Sequence, residues 1–115
     1  LSRLRHNYRI GLATVRGRSM FPTYRDGDRL LVLYGARPRA GRPHLVQPPP
    51  SATGARPLSI KRVEHRTDDG WWVLSDNPDE GTDSRIFGPI PYRDMVAKIL
   101  VRIPRPIGRR RLRRE

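Results

Sequence analysis

"PLSIKRVEHRTDDGWWVLS", residues 57 to 75, is the stretch whose reading decides the fold. Pro57 to His65 alternates apolar and polar side chains with a period of two, the mark of a strand with one face turned inward. Asp68-Asp69-Gly70 then supplies hairpin turn chemistry, because Asp tolerates turn geometry and Gly adopts positive φ at no steric cost. Trp71 to Ser75 returns as the antiparallel partner and sets one Trp ring on each face, one for the core and one for a substrate groove.

The flanking sequence reads the same way. Gly11 to Val15 alternates weakly. Arg29 to Tyr34 is a short apolar run after the Asp26-Gly27-Asp28 turn and fits a buried strand. Residues 36 to 57 form a loop rich in Pro, Gly, Arg and Ser around Pro48-Pro49-Pro50, with one short strand at His44 to Gln47. Asp76 to Arg85 is a polar loop. Met95 to Ile103 alternates strongly and reads as a last strand, with a short helix as the alternative. The expected class is mostly β, with short strands and long loops, and twelve Pro and ten Gly argue against long helices.

The 115 residues suit one domain, read as residues 1–104, followed by a basic tail, residues 105–115, with six arginines against one glutamate. That tail is expected to be a solvated, disordered extension. Without cysteine, disulfides, thiolate metal sites and Cys nucleophiles are excluded. His6, His44 and His65 are scattered without metal-ligand spacing, so neither metal nor cofactor is expected, and His44 is expected to face solvent. No apolar run approaches the roughly 20 residues that span a bilayer, and no signal-peptide pattern is visible. The chain begins at Leu1 rather than Met, which leaves an upstream anchor open.

The net charge of +13 makes anionic partners the first thought. A nonspecific nucleic-acid-binding module is one reading. No nucleic-acid motif accompanies the charge, and no specific nucleic acid is expected. All but two of the 24 basic residues are Arg, the exceptions being Lys61 and Lys98. Arg does not lose its proton in a protein, whereas a buried Lys does, so only these two side chains qualify as amine bases. Lys61 lies on the strand face shared with Ser59 and Val63. Burial there would lower its pKa, and Arg62 beside it would add like-charge repulsion. From the residues alone, Lys61 is either a surface strand lysine or a base, and Ser19 in "GRSMFPT" is either a turn serine or a nucleophile.

Four segments occur together in order: "GRSMFPT", "DGDRLLV", "IKRV" and "SDNPDEGTDSRIFGPIP". Together they resemble the nucleophile, Gly-Asp, Lys-Arg and Asp-Ser-Arg boxes of the type I signal peptidases, a family of Ser-Lys endopeptidases. Within it, "DRLLVLYGARPRAG" and "GWWVLSDNP" resemble the nickel-type superoxide dismutase maturation proteases. The resemblance implies a signal-peptidase-like compact β fold and a serine endopeptidase that removes an N-terminal pro-segment from a precursor protein. It implies Ser19 as nucleophile, Lys61 as base, the Ser19 N–H as an oxyanion donor, and Gly17 and Met20 lining the site. Arg62, Asp76, Asp83, Ser84 and Arg85 would support the dyad, with Asp83 paired to Arg85 or to Arg62. An extended substrate would lie along a strand edge.

Four positions depart from the family pattern: the usual Gly-Asp-Asn is Ser75-Asp76-Asn77, the usual Gly-Asp before the middle strand is Gly41-Arg42, and the other two are Gly17 and Gly81. A serine that completes the oxyanion hole in many signal peptidases is Gly17 here. A serine that orients the lysine in some members is Gly81, with Thr82 or Ser84 as substitutes. The dismutase reading implies a cytoplasmic protein. A general signal peptidase fragment without its anchor would be membrane-associated, with the basic tail against an anionic surface. A self-cleaving regulator of the SOS-repressor type shares the Ser-Lys fold, but would need a DNA-binding domain and an internal cleavage site, and neither is evident.

Overall fold

A computed structural model describes residues 8–105. Six strands form one antiparallel sheet: β1 (Arg9–Thr14), β2 (Arg29–Tyr34), β3 (Pro43–Val46), β4 (Ser59–Thr67), β5 (Gly70–Leu74) and β6 (Met95–Ile103). Their order across the sheet is β1-β2-β6-β3-β4-β5. One helical turn, α1 (Ser84–Phe87), and a short 3-10 turn at Tyr92–Asp94 complete the regular structure among the described residues. Among the described residues, no helix is long and apolar enough to cross a membrane.

The mostly-β reading holds, and β2 and β6 take the bounds their apolar patterns mark. Met95 to Ile103 is a strand, paired with β2 on one side and β3 on the other. Alternation is clearest in its first half, where Met95, Ala97 and Ile99 are buried. The hairpin of β4 and β5 turns at Asp68-Asp69, and Gly70 opens β5 opposite Thr67. Gly70 has φ +146, and a Cβ there would run into the Ile90 carbonyl, because Trp71 and Ile90 exchange both backbone hydrogen bonds at 2.8 Å.

The ladder between β4 and β5 contains a bulge. Thr67, Arg66 and His65 pair with Gly70, Trp71 and Trp72, after which Glu64 is passed over and Val63 pairs with Val73. The extra residue shifts everything beyond it by one place.

Two apolar clusters fill the interior. Val15, Met20, Leu30, Val32, Leu45, Ile60, Ala97 and Ile99 form one; Val46, Val63, Val73, Ile90 and Met95, joined by Trp71 and Phe87, form the other. Burial of such side chains contributes about 1.5–3 kcal/mol each, before conformational entropy is set against it. β3 is buried along its whole length. This corrects the expectation for His44, which is fully buried within β3 rather than facing solvent. Burial pushes its imidazole below the ordinary value, and its Nε2 has no hydrogen-bond partner among the described residues. Arg105, the first residue of the expected tail, is held to Asp28 at 2.9 Å. The expectation for the remainder, residues 106–115, lies outside the described residues.

Candidate active site

The segment between β1 and β2 leaves the sheet where Val15 and Asp28 close the ladder, with Val15 N–H donating to the Asp28 carbonyl at 2.8 Å. Gly17 follows at φ +80, and its N–H donates to Asp26 Oδ1 at 2.6 Å. The excursion then carries Ser19 to the mouth of an open groove of about 480 Å³. Val15, Met20, Leu45 and Ile60 give the groove apolar walls, and Ser19, Lys61 and Gly81 line it together. Trp72 does not line it; that ring stacks on His65 with centroids 6.1 Å apart.

Lys61 comes from β4, where it pairs with His44 of β3. It is 3% exposed. Both Ile60 and Lys61 are buried, so strict alternation fails here: the strand end is covered on both faces. Burial pushes the Lys61 amine below its ordinary value of 10.5, against the opposing pull of the Asp83 carboxylate. Repulsion from Arg62 plays no such part, contrary to the sequence reading. Arg62 is neutralised by Asp76, donating from Nε to Oδ1 at 2.8 Å and from Nη2 to Oδ2 at 2.7 Å.

Gly81 shows how close the groups are. A Cβ built on it would lie 2.7 Å from Ser19 Cβ and 3.6 Å from both Lys61 Nζ and Ser75 Oγ. Three side chains therefore surround one spot that glycine leaves empty. Lys61 Nζ donates to Ser75 Oγ at 3.1 Å. Among the described residues, neither the Ser19 hydroxyl nor its N–H has a protein hydrogen-bond partner. A half-buried serine hydroxyl is free to rotate, and such contacts commonly tighten only when substrate is bound.

Residues 75 to 83 clamp the Ser19-bearing segment to β4. Asn77 N–H donates to the Ser19 carbonyl at 2.8 Å, and Asn77 Nδ2 to the Arg18 carbonyl at 3.0 Å. Asp76 joins Arg62 on β4 to the Thr23 hydroxyl at 2.6 Å, and its N–H meets Met20 Sδ at 3.3 Å. Burial alone would raise the Asp76 pKa; the Arg62 and Thr23 hydrogen bonds outweigh it and hold the carboxyl below its usual value. Asp83 is buried and caps α1. It pairs with Arg85 at 2.9 Å rather than with Arg62, and accepts the Ser75 N–H at 2.9 Å. Burial raises its pKa too, and the Arg85 and Ser75 hydrogen bonds win, keeping it low.

Two residues of the site went unrecognised in the sequence. Asn77 was seen only as part of a box, although its amide side chain is what a loop clamp needs. Ser75 reads in the sequence only as the end of a strand and as the residue standing where the family pattern has Gly, and that departure is the signal that could have found it. Ser84, expected as a substitute for the missing hydroxyl at Gly81, instead accepts the Val73 N–H at 2.8 Å and holds β5. Thr82 is exposed on the groove lining.

The family model described as Peptidase S24-like matches residues 2–87, a span containing Ser19, Lys61, the residue 75–83 clamp and Arg85. It covers the S24-like peptidases in general and does not single out the dismutase-maturation branch. No curated protein matches the chain.

Proposed function

The chain belongs to the Peptidase S24-like family, and from that premise we propose that it is a serine endopeptidase working through Ser19 and Lys61. The observation that carries this reading is the meeting of Ser19, Lys61 and Ser75 around the empty side-chain position of Gly81, on an apolar groove. A buried lysine with a lowered pKa is the amine that can accept a serine proton near neutrality.

In this mechanism an extended peptide lies in the groove. Ser19 Oγ attacks the scissile carbonyl carbon while Lys61 Nζ takes the hydroxyl proton. The carbonyl electron pair moves onto oxygen, where the unpartnered Ser19 N–H receives it; one such donor contributes about 3 kcal/mol of barrier lowering. Gly17 supplies no second donor, because its own N–H is engaged by Asp26. Collapse breaks the C–N bond, and the leaving amine takes the proton from Lys61. Lys61 then deprotonates water, which attacks the acyl ester and frees Ser19.

The substrate we propose is the precursor of a nickel superoxide dismutase, trimmed at its N-terminus. Support for it is the likeness carried by the segments at 28–41 and 70–78. The test mixes the protein with the dismutase precursor and sequences the product N-terminus, beside a peptide bearing a signal-peptide cleavage site. One defined cut in the precursor, lost in Ser19→Ala, is expected. An intact precursor overturns the substrate, and full cleavage by Lys61→Ala overturns the mechanism.

A further inference from the structure

The lysine of this site needs an orienting partner, and the hydrogen bond to Ser75 identifies one at a position where the family resemblance does not place it. We propose that Ser75 is the positioning residue for Lys61, taking by way of the neighbouring strand the place of the hydroxyl missing at Gly81. The proposal rests on the reading of Lys61 as the base.

The argument is geometric. A neutral amine has two N–H groups and one lone pair. Donation of one N–H to Ser75 Oγ at 3.1 Å restricts where the lone pair can point. The open directions include the spot vacated at Gly81, beside Ser19 Cβ. Ser75 is itself held firmly. It is 8% exposed, and its backbone N–H donates to Asp83 Oδ2, which Arg85 grips in turn. A line of hydrogen bonds thus runs from the surface through Asp83 and Ser75 to the amine.

Register explains why Ser75 is the residue that arrives there. The turn pairs Thr67 with Gly70, and an unbroken ladder from that turn would set Ser75 opposite Arg62 and Asp76 opposite Lys61. The bulge at Glu64 moves the pairing by one, so that Arg62 meets Leu74 and the next place along sets Ser75 against Lys61. A hydroxyl at position 81 would be incompatible with this arrangement. Gly81 has φ +79, and its Cβ would press on Ser19 Cβ at 2.7 Å.

The chain has only two lysines, Lys61 and Lys98, which makes the test direct. Lysine-selective 13C labelling gives two Cε signals whose shifts are followed against pH in the parent, Ser75→Ala and Ser75→Thr proteins. Loss of the acceptor favours the neutral amine, so the Lys61 titration moves down by about one unit in Ser75→Ala and returns in Ser75→Thr. Cleavage by Ser75→Ala falls roughly 10- to 100-fold in kcat with KM unchanged, and Ser75→Thr recovers most of it. Gly81→Ser added to Ser75→Ala restores nothing. A Lys61 titration unmoved in Ser75→Ala, or cleavage within about twofold of the parent, overturns the assignment. If the parent protein cleaves no precursor at all, it is the proposed function that fails, while the titration still decides whether Ser75 governs Lys61. Unchanged melting of both variants separates positioning from general destabilisation.

Discussion

Lys61 and Ser19 stand beside one another, yet one is carried by a strand and the other by a loop, and different bonds hold them. β4 lies between β3 and β5, so the backbone around Lys61 is gripped by ladders on both sides. The segment around Ser19 has no such ladder. Its position depends on a few separate contacts: the side chains of Asp26 to Gly17, Asp76 to Thr23 and Asn77 to the Arg18 carbonyl, with the Asn77 backbone N–H on the Ser19 carbonyl. Ladder hydrogen bonds come from every residue and survive substitution. Cross-links made by a few side chains do not. The Ser19 segment should therefore be the vulnerable half of the candidate site, sensitive to changes in the residue 75–83 clamp that the lysine strand tolerates.

On the proposed mechanism, the largest effects come from Ser19 and Lys61 and calibrate the contrast. Ser19→Ala and Lys61→Met are each expected to lower kcat/KM by about 1,000-fold or more. Lys61→Met should melt no lower than the parent, since an apolar side chain replaces a buried amine. Thermal unfolding beside a cleavage assay checks both parts.

Gly81→Ala comes next. Its Cβ would displace Ser19, and its left-handed backbone is strained for alanine, so activity falls roughly 100-fold and stability by about 1–2 kcal/mol. Asp76→Asn unlatches the Ser19 segment from Arg62 and should cost about tenfold in kcat and about 1–2 kcal/mol in denaturant unfolding. Glu64→Ala, on an exposed stretch of β4, should change neither. Equal effects of Asp76→Asn and Glu64→Ala would break the loop-against-strand contrast.

The pH profile sharpens it. Because the folded protein holds Lys61 below 10.5, kcat/KM rises with pH up to the lowered value and levels off above it. Between the lowered value and 10.5, the unfolded chain binds the extra proton, so Lys61 makes stability rise with pH there. Asp76 and Asp83 have depressed values, and their contribution is present above 3.8 and lost as the pH falls through the folded-state values. Acid should therefore loosen the clamp, measurable as faster hydrogen exchange at Ser19 to Tyr24 than along β4. The smallest effect is at Arg18. Its ion pair with Glu80 is exposed, 59% and 46%, so Arg18→Ala should shift stability by no more than about 0.5 kcal/mol.

What could be read in advance followed from local chemistry. β2 and β6 were legible because a buried strand writes its period into consecutive residues, and the Asp68-Asp69-Gly70 turn because turn residues are chosen by backbone geometry. Ser19 and Lys61 were legible only as a pair within ordered motifs. Asn77, and the real partner of Arg62, were not: hydrogen bonds between segments tens of residues apart leave no periodic trace.

The amino-acid sequence by itself determined the class of fold and the strand that carries Lys61, and it narrowed any amine base to two lysines, since all its other basic side chains apart from histidine are arginines that keep their protons. Tertiary structure alone decided that His44 is buried, that Asp76 spans from Arg62 to Thr23, and that Ser75 faces Lys61. The last depends on one extra residue at Glu64. A bulge is set by how two strands settle against the rest of the sheet, and a shift of one place exchanges which side chain meets which, without changing any local pattern.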